Sequence, residues 1–356
     1  MSPLRAGRLS GLRPWTAPII NDMNRRMSTP LTIGDIAIKG RVLAAPMTGV
    51  TDLPFRRVMR RLGAPYVATE MVASADLARG RPDVVRRAAI GGTAAPMIIQ
   101  LVGHDCGWIA EGARLAERAG ADIIDLNMGC PAKEVTGIQA GSALMRNLDH
   151  AERLLNAAVE ATRRPVTLKM RLGWDADALN APELARRAEA AGIQAVTVHG
   201  RTRCQFYAGA ADWSAVAAVK AATRLPVIVN GDIVDAASAR RALALSNADA
   251  VMIGRGVYGR PWIARAIQAT LDDGQATAEP DREARLGIAL DHFRDSLRFY
   301  GDALGLKVFR KHLGWYVERA PWPESADARR AAKSRLCRLE RPQEVEAGLT
   351  ALWAAG

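Results

Sequence analysis

Eight times between Val42 and Gly256 a short, mostly apolar and often β-branched run is followed by a stretch with helical spacing. The runs are VLAAPM (42–47), YVATEMV (66–72), PMIIQLV (96–102), IIDLNMG (123–129), VTLKMRL (166–172), AVTVHGR (195–201), PVIVNGD (226–232) and AVMIGRG (250–256). Strands that are apolar nearly throughout have no side to turn to water, so the sheet they make is parallel and covered on both faces. Helical stretches at 106–119, 148–163, 182–191, 213–222 and 235–245, several opened by Asp or Ser near the N-cap, supply the cover. Eight such units over roughly 220 residues have the size of a (β/α)8, or TIM, barrel, with a doubly wound sheet as the competing topology.

The ends of the runs favour the barrel. Each starts apolar and acquires a chemically capable residue near its C-terminal end: Met47 with Thr48, Glu70, Gln100, Asn127, Lys169, His199, Asn230, and Gly254 with Arg255. A strand that only packs has no reason to finish this way, whereas a barrel gathers all eight ends at the face where its chemistry sits. Beyond about residue 280 the sequence is amphipathic, helical and free of strand-like runs. The expected organisation is a basic, disordered tail over 1–32, a barrel over 33–271, a linker around DDGQATAEPD (272–281) and an all-helical domain over 281–356.

No run approaches the ~20 apolar residues that cross a bilayer, and the basic N-terminal stretch lacks a proper apolar core and cleavage site, so no membrane partner is expected. Met23 and Met27 stand just before the organised sequence begins. The formal charge of +12 suggests an acidic partner such as nucleic acid. It is spread thinly, at about +5 over 1–41, +4 over 42–280 and +3 over 281–356, and is mostly arginine in an alanine-rich chain. The four cysteines, Cys106, Cys130, Cys204 and Cys337, are too irregularly spaced for a secreted disulfide framework, which points to the cytoplasm. With no C-x-x-C pair they do not propose a metal site either.

At the expected mouth, the last two runs end in NGD and GRGVYGRPW. Glycines there let backbone N–H groups approach an anion, and the following helix adds its positive end. Asp232 would repel a phosphate unless its carboxylate turns away, and Arg255 can supply positive charge. Lys169 reads either as a Schiff-base lysine or as a fixed cation donating to a cofactor. Gln100 and Asn230 offer paired donors and acceptors suited to the edge of a heterocycle. FMN would use this whole set, with its phosphate at the last two strands, its ring edge against Gln100, Lys169 and Asn230, and His199 a neutral donor nearby. Cys130, held in NMGCP just after the fourth run, remains open as nucleophile or acid.

In this order, APMTGVTD, QLVG, DLNMGCPAKEV, GSALM, TLKMRLGW, TVHGRTR, VNGDI and MIGRGVYGRPW resemble the bacterial tRNA-dihydrouridine synthases over about residues 33–270, and LKVFRKHLGWY (306–316) carries the resemblance into the helical tail. It implies an FMN-dependent enzyme that reduces the 5,6 double bond of particular uridines in tRNA, with NADPH or NADH as reductant and no obligate protein partner. It places flavin contacts on Pro46, Met47, Thr48, Gln100, Lys169, His199, Asn230, Gly231, Asp232, Gly254 and Arg255. Substrate contacts fall on Asn127, Lys133, Arg171, Arg201, Arg310, Lys311 and His312, and the catalytic cysteine on Cys130. Hydride would pass from the reduced flavin N5 to uracil C6, and Cys130 would protonate C5 as general acid, which requires a thiol that keeps its proton. Base flipping costs a few kcal/mol, offset by stacking and contacts elsewhere on the RNA. Many members carry a second basic residue where this chain has Glu134, which puts one RNA backbone contact in question. The fourth strand–helix unit is the longest, as suits a loop that could close over substrate.

Three other readings use the same residues. A reductase of a free pyrimidine would turn over uracil or orotate without the helical tail. An RNA chaperone would survive Cys130→Ala. A Schiff-base aldolase through Lys169 would be trapped by borohydride.

Overall fold

The computed structural model describes residues 30–91, 96–274, 278–320, 322 and 325–354. The expected tail falls almost wholly on residues 1–29, outside that description, but its last residues do not behave as a tail. Leu31–Ile33 (β1) pairs antiparallel with Ile36–Ile38 (β2) in a hairpin. The barrel strands follow as Val42–Ala44 (β3), Ala68–Ala73 (β4), Ile98–Val102 (β5), Ile123–Met128 (β6), Val166–Arg171 (β7), Ala195–His199 (β8), Val227–Asn230 (β9) and Ala250–Ile253 (β10). All pair in parallel in the order β3-β10-β9-β8-β7-β6-β5-β4. Ala44 then bridges Val67 in parallel, and its N–H donates to the Tyr66 carbonyl at 3.0 Å, so the first strand meets the start of the second and the ring closes.

Strand alternation sorts the apolar residues into two cores. Leu43, Ile98, Ile123, Ala195, Ile228, Ala250 and Met252 pack together with Leu31, Ile33 and Ile38, which makes the hairpin the floor of the barrel. Their neighbours, including Ile99, Leu101, Ile124, Leu126, Leu168, Val196, Val229 and Val251, pack outward against the helices. Both faces of each strand are therefore buried, which is why the runs read as continuously apolar.

The barrel helices are Leu53–Arg61 (α1), Ser74–Ala78 (α2), Pro82–Ala88 (α3), Cys106–Arg118 (α4), Lys133–Thr136 (α5), Leu148–Ala161 (α6), Ala181–Ala190 (α7), Trp213–Ala222 (α8), Ala236–Ser246 (α9) and Ile263–Asp273 (α10). Their starts follow from side chains that satisfy orphan N–H groups: Asp52, Asp105, Asn147 and Asp212 each accept from the third residue onward, and Asp235 forms a capping box with Ser238.

The C-terminal region is all helix: Arg282–Tyr300 (α11), Asp302–Arg319 (α12), Ala326–Leu336 (α13) and Pro342–Ala354 (α14). Its own core gathers Phe293, Leu306, Phe309, Leu313, Tyr316, Leu336, Val345, Leu349 and Trp353. It is seated on the barrel through α1. The Phe55 ring lies 5.3 Å from that of His292 and 4.8 Å from that of His312, Tyr300 Oη donates to Asp52 at 3.1 Å, and Arg57 pairs with Asp295 at 3.2 Å. At the other end of the seam Trp315 stacks on Tyr258 at 3.8 Å. Gly259 beside it has φ +68°, and a Cβ there would stand 2.2 Å from the Trp315 carbonyl oxygen, so this approach of domain to domain needs glycine.

Candidate active site at the barrel mouth

Counting upward from the floor, the inward positions change character. Above Ile98, Ile123 and Ala195 come Gln100, Asp125, Thr167 and Thr197, all buried, and above these stand Asn127, Lys169, Arg171, His199 and Asn230. The period of two along each strand carries these residues into one space. They open on a cavity of about 890 Å³ lined by Pro46, Met47, Thr48, Gln100, Asn127, Cys130, Lys169, Arg171, His199, Asn230, Gly231, Asp232, Gly254 and Arg255, among others. Thus every residue read as a flavin contact lines one cavity, with Cys130, Asn127 and Arg171 on the same wall. Glu70 does not join them. It accepts from the Gly49 N–H at 2.5 Å and so holds the loop that carries Met47 and Thr48.

The polar wall is tightly hydrogen-bonded. Lys169 Nζ donates to Asn230 Oδ1 at 3.1 Å, and Asn230 Nδ2 donates to the Met252 carbonyl at 2.7 Å. Burial brings the Lys169 ammonium down to about 8, with Arg171 pushing the same way and Asp125 opposing. His199 sits far below its ordinary value because it is buried and faces Lys169, Arg171, Arg201 and Arg255, so its ring is neutral at physiological pH. The Cys130 thiol is pushed up by burial, against the pull of the Ala132 N–H, Arg171 and Lys169.

One side of the mouth is prepared for an anion. Gly231 has φ +117°, and a Cβ there would stand 2.7 Å from the Ala211 Cβ and 3.0 Å from the His199 ring, whereas one on Gly254 would meet nothing nearer than Met47 Sδ at 3.9 Å. Asp232 lines the same space, but its carboxylate is occupied by donors. Its carboxylate accepts from Arg201 at 2.5 and 3.0 Å, from Arg255 at 3.3 Å and from the Ala211 N–H at 2.8 Å. Burial raises that carboxyl, but these donors outweigh it and hold it below the ordinary range. Arg255, paired with Asp232 yet with its side chain half exposed, also lines the cavity.

The structure corrects two of the expected RNA contacts. Arg201 is 1 % exposed and, besides Asp232, donates to the Ala208 carbonyl at 3.1 Å and the Gly209 carbonyl at 2.6 Å, so it ties down the loop after β8 and is not open to RNA. His312 is 2 % exposed, enclosed with Phe55 and His292 in the seam between the domains. Lys311 Nζ lies 2.9 Å from where a Cβ on Gly49 would stand, toward the barrel, while the Arg310 carbonyl accepts from Cys337 Sγ at 3.5 Å on the side of α13. Lys133 is exposed at the start of α5, beside Glu134 at the cavity rim. Arg171 is buried yet lines the cavity. Its guanidinium donates to the carbonyls of Gly129, Thr202 and Phe206, each at 2.8 Å.

Sequence reasoning missed Phe206 and Tyr207. Both line the cavity, are about half exposed and meet edge to face at 5.1 Å, and Tyr207 lies under the guanidinium groups of Arg255 at 5.0 Å and Arg171 at 5.7 Å. Adjacent aromatics in a glycine-containing loop, in a chain that is only 5 % aromatic, were the available signal. Among the described residues the one grouping of metal-ligand types is Asp52, His292 and His312, away from this cavity. No described helix is long and apolar enough to cross a membrane.

Comparison with known proteins bears on the fold and the family. A morphinone reductase variant in complex with tetrahydroNAD shares the fold at a TM-score of 0.52 and 17 % identity, over 73 % of this chain and 93 % of that one. A 2-naphthoyl-CoA reductase does so at 0.55 and 13 %, over 71 % and 53 %. A probable tRNA-dihydrouridine synthase of Rhodobacter capsulatus is 51 % identical over 302 residues, covering 85 % of this chain and 93 % of that protein. The tRNA-dihydrouridine synthase B of Xanthomonas axonopodis pv. citri is 43 % identical over 299 residues, 84 % and 90 % of the two chains. The family model described as dihydrouridine synthase (Dus) matches residues 42–351. The lined barrel mouth, the helical domain seated on it and these relatives together place the chain in the dihydrouridine synthase family.

Proposed function

We propose that this protein reduces the 5,6 double bond of uridines in tRNA to dihydrouridine, with FMN held at the barrel mouth and NADPH or NADH as the reductant. The observation that carries the reading is the convergence on one cavity of a protonated, half-buried thiol, a buried lysine–asparagine pair and a glycine-lined, arginine-bearing edge. These residues fit the cofactor. Gly231, Gly254 and Arg255 would take its phosphate, Asp232 being already neutralised, and Gln100, Lys169 and Asn230 its ring edge, beside Pro46, Met47, Thr48 and His199.

Once reduced, FMN would supply the hydride for uracil C6. The chain's own part is to hold the base and deliver a proton to C5. Cys130 Sγ carries that proton, and burial keeps the thiol protonated at working pH, as a general acid requires. Arg171, fixed by three carbonyl groups, presents a cation where charge gathers on a uracil oxygen. His199, being neutral, offers a hydrogen bond without competing for the proton. The helical domain and exposed Lys133 would engage tRNA, largely through phosphates and shape. An enzyme of this kind acts in the cytoplasm.

The test is Cys130→Ala. The variant keeps bound flavin and NADPH oxidation but forms no dihydrouridine in tRNA, while the parent protein does. A parent that leaves tRNA unmodified yet reduces free uracil or orotate would replace the tRNA reading with a free-pyrimidine one.

A further inference from the structure

Beneath the cavity a line of side chains runs from a buried acid to the catalytic loop. Thr167 Oγ1 donates to Asp125 Oδ1 at 2.6 Å, and Gln100 Nε2 donates to Asp125 Oδ2 at 2.7 Å. Asn127 Nδ2 donates to Gln100 Oε1 at 2.9 Å. Asn127 Oδ1 then accepts from the N–H groups of Gly129 at 3.1 Å and Cys130 at 2.9 Å. Asp125 is 3 % exposed and does not line the cavity.

We propose that Asp125 is a positioning residue for Cys130, because it fixes the direction of the Gln100–Asn127 amide chain whose far end holds the cysteine loop. The inference rests on the reading of Cys130 as the proton donor. An amide has a donor end and an acceptor end, so two amides in series transmit a direction. At the lower end an ionised carboxylate only accepts, which turns the Gln100 NH2 downward and leaves its oxygen for Asn127. At the upper end two backbone N–H groups only donate, so Asn127 must show them its oxygen. One orientation of both amides satisfies both ends. The charge of Lys169 on the neighbouring strand favours the ionised acid. Without Asp125 the buried Gln100 NH2 loses its acceptor, the orientation rests on the Gly129 and Cys130 N–H groups alone, and the hold of Asn127 on the cysteine loop loosens.

Two measurements on the full-length protein test this. The first is alkylation of Cys130 by iodoacetamide, followed by peptide mass spectrometry and read at the high-pH plateau, where thiol ionisation no longer limits the rate. Asp125→Ala should raise it by roughly five-fold, the worth of about one lost hydrogen bond, while Cys106 and Cys337 in the same sample keep their rates. The second is a polarity exchange. Asn127→Asp sets a carboxylate at each end of Gln100, which no orientation satisfies, and lowers the melting temperature. D125N/N127D moves the amide and the acid to opposite ends at unchanged net charge and recovers most of that loss. An unchanged Cys130 plateau in Asp125→Ala, or additive losses in the double variant, would overturn the proposal. Neither readout needs uridine reduction, so a failure of the tRNA reading would show separately.

Discussion

At the residue scale, Lys169 gives the clearest pH dependence. Its ammonium is lowered to about 8, so its charge is complete near pH 6 and fades as pH rises through 8. If that charge holds the flavin, FMN affinity of the apoprotein weakens above pH 8 by up to about tenfold per unit. Lys169→Met should bind weakly at all pH values and lose the trend, which fluorescence titration with FMN would follow. A wild-type affinity flat from pH 7 to 10 would contradict the role. Gly231→Ala tests the cradle separately: the added methyl meets Ala211 and the His199 ring in a left-handed conformation, costing about 1–3 kcal/mol. Urea melts and flavin retention on gel filtration should both fall. Gln100, Asn127, Lys169, His199 and Asn230 were legible because a strand's period of two puts polar residues near its C-terminal end on the same face as its inward apolar ones, whatever the loops do. Arg201 and His312 were not, because residue type suggests exposure while Asp232 and Phe55, distant in sequence, supply their buried partners.

At the scale of elements, the expected run 42–47 contains a strand only over Val42–Ala44, and 250–256 one over Ala250–Ile253. The overshoot has a physical source, since apolar and glycine residues continue past the last ladder bond into the loops that line the cavity. The floor hairpin was invisible for the opposite reason, as three-residue strands carry too little period to read. The loop after β8 belongs to neither class and is held by two arginines. Arg201 spans two carbonyls and a carboxylate with one planar fork, a geometry a lysine cannot copy. Arg201→Leu and Arg201→Lys should both cost about 3 kcal/mol, the lower range for breaking a buried pair. Denaturant melts give the loss, and new protease cleavage within 200–212 locates it. A lysine variant as stable as the parent would refute the fork argument.

At the scale of the whole molecule, the boundary near residue 280 was legible as a change from alternating units to helices alone, but the seam was not, because it is made by buried polar groups. His292, His312 and Asp52 meet there with Phe55, Tyr300 and Tyr316, and Arg61 and Lys311 face the same cluster. Burial lowers His292 to about 3 and puts His312 and His199 well below 6.5, so these three rings take up protons below pH 6.5 only when the protein unfolds. Asp52 and Asp125 act the other way: burial raises each from 3.8 to about 6, so between those values they hold protons in the fold and release them on unfolding. Three protons taken up against two released leave a net uptake of one between about pH 6 and 4, and stability therefore falls by about 1.4 kcal/mol per pH unit as acid is added. From pH 7 to 8 the slope from these five groups fades to nearly nothing. Surface carboxylates such as Glu189, lowered to about 2 by its Thr223 and Arg224 hydrogen bonds, steepen the loss only below about pH 4.5. His312→Asn removes one imidazole and should flatten the pH 4–6 segment of a urea-melt series, at some loss of stability at pH 7. A slope unchanged in that variant would mean that the seam histidine is already charged in the folded protein, and that the two domains meet through an ion pair with Asp52 instead of through neutral rings.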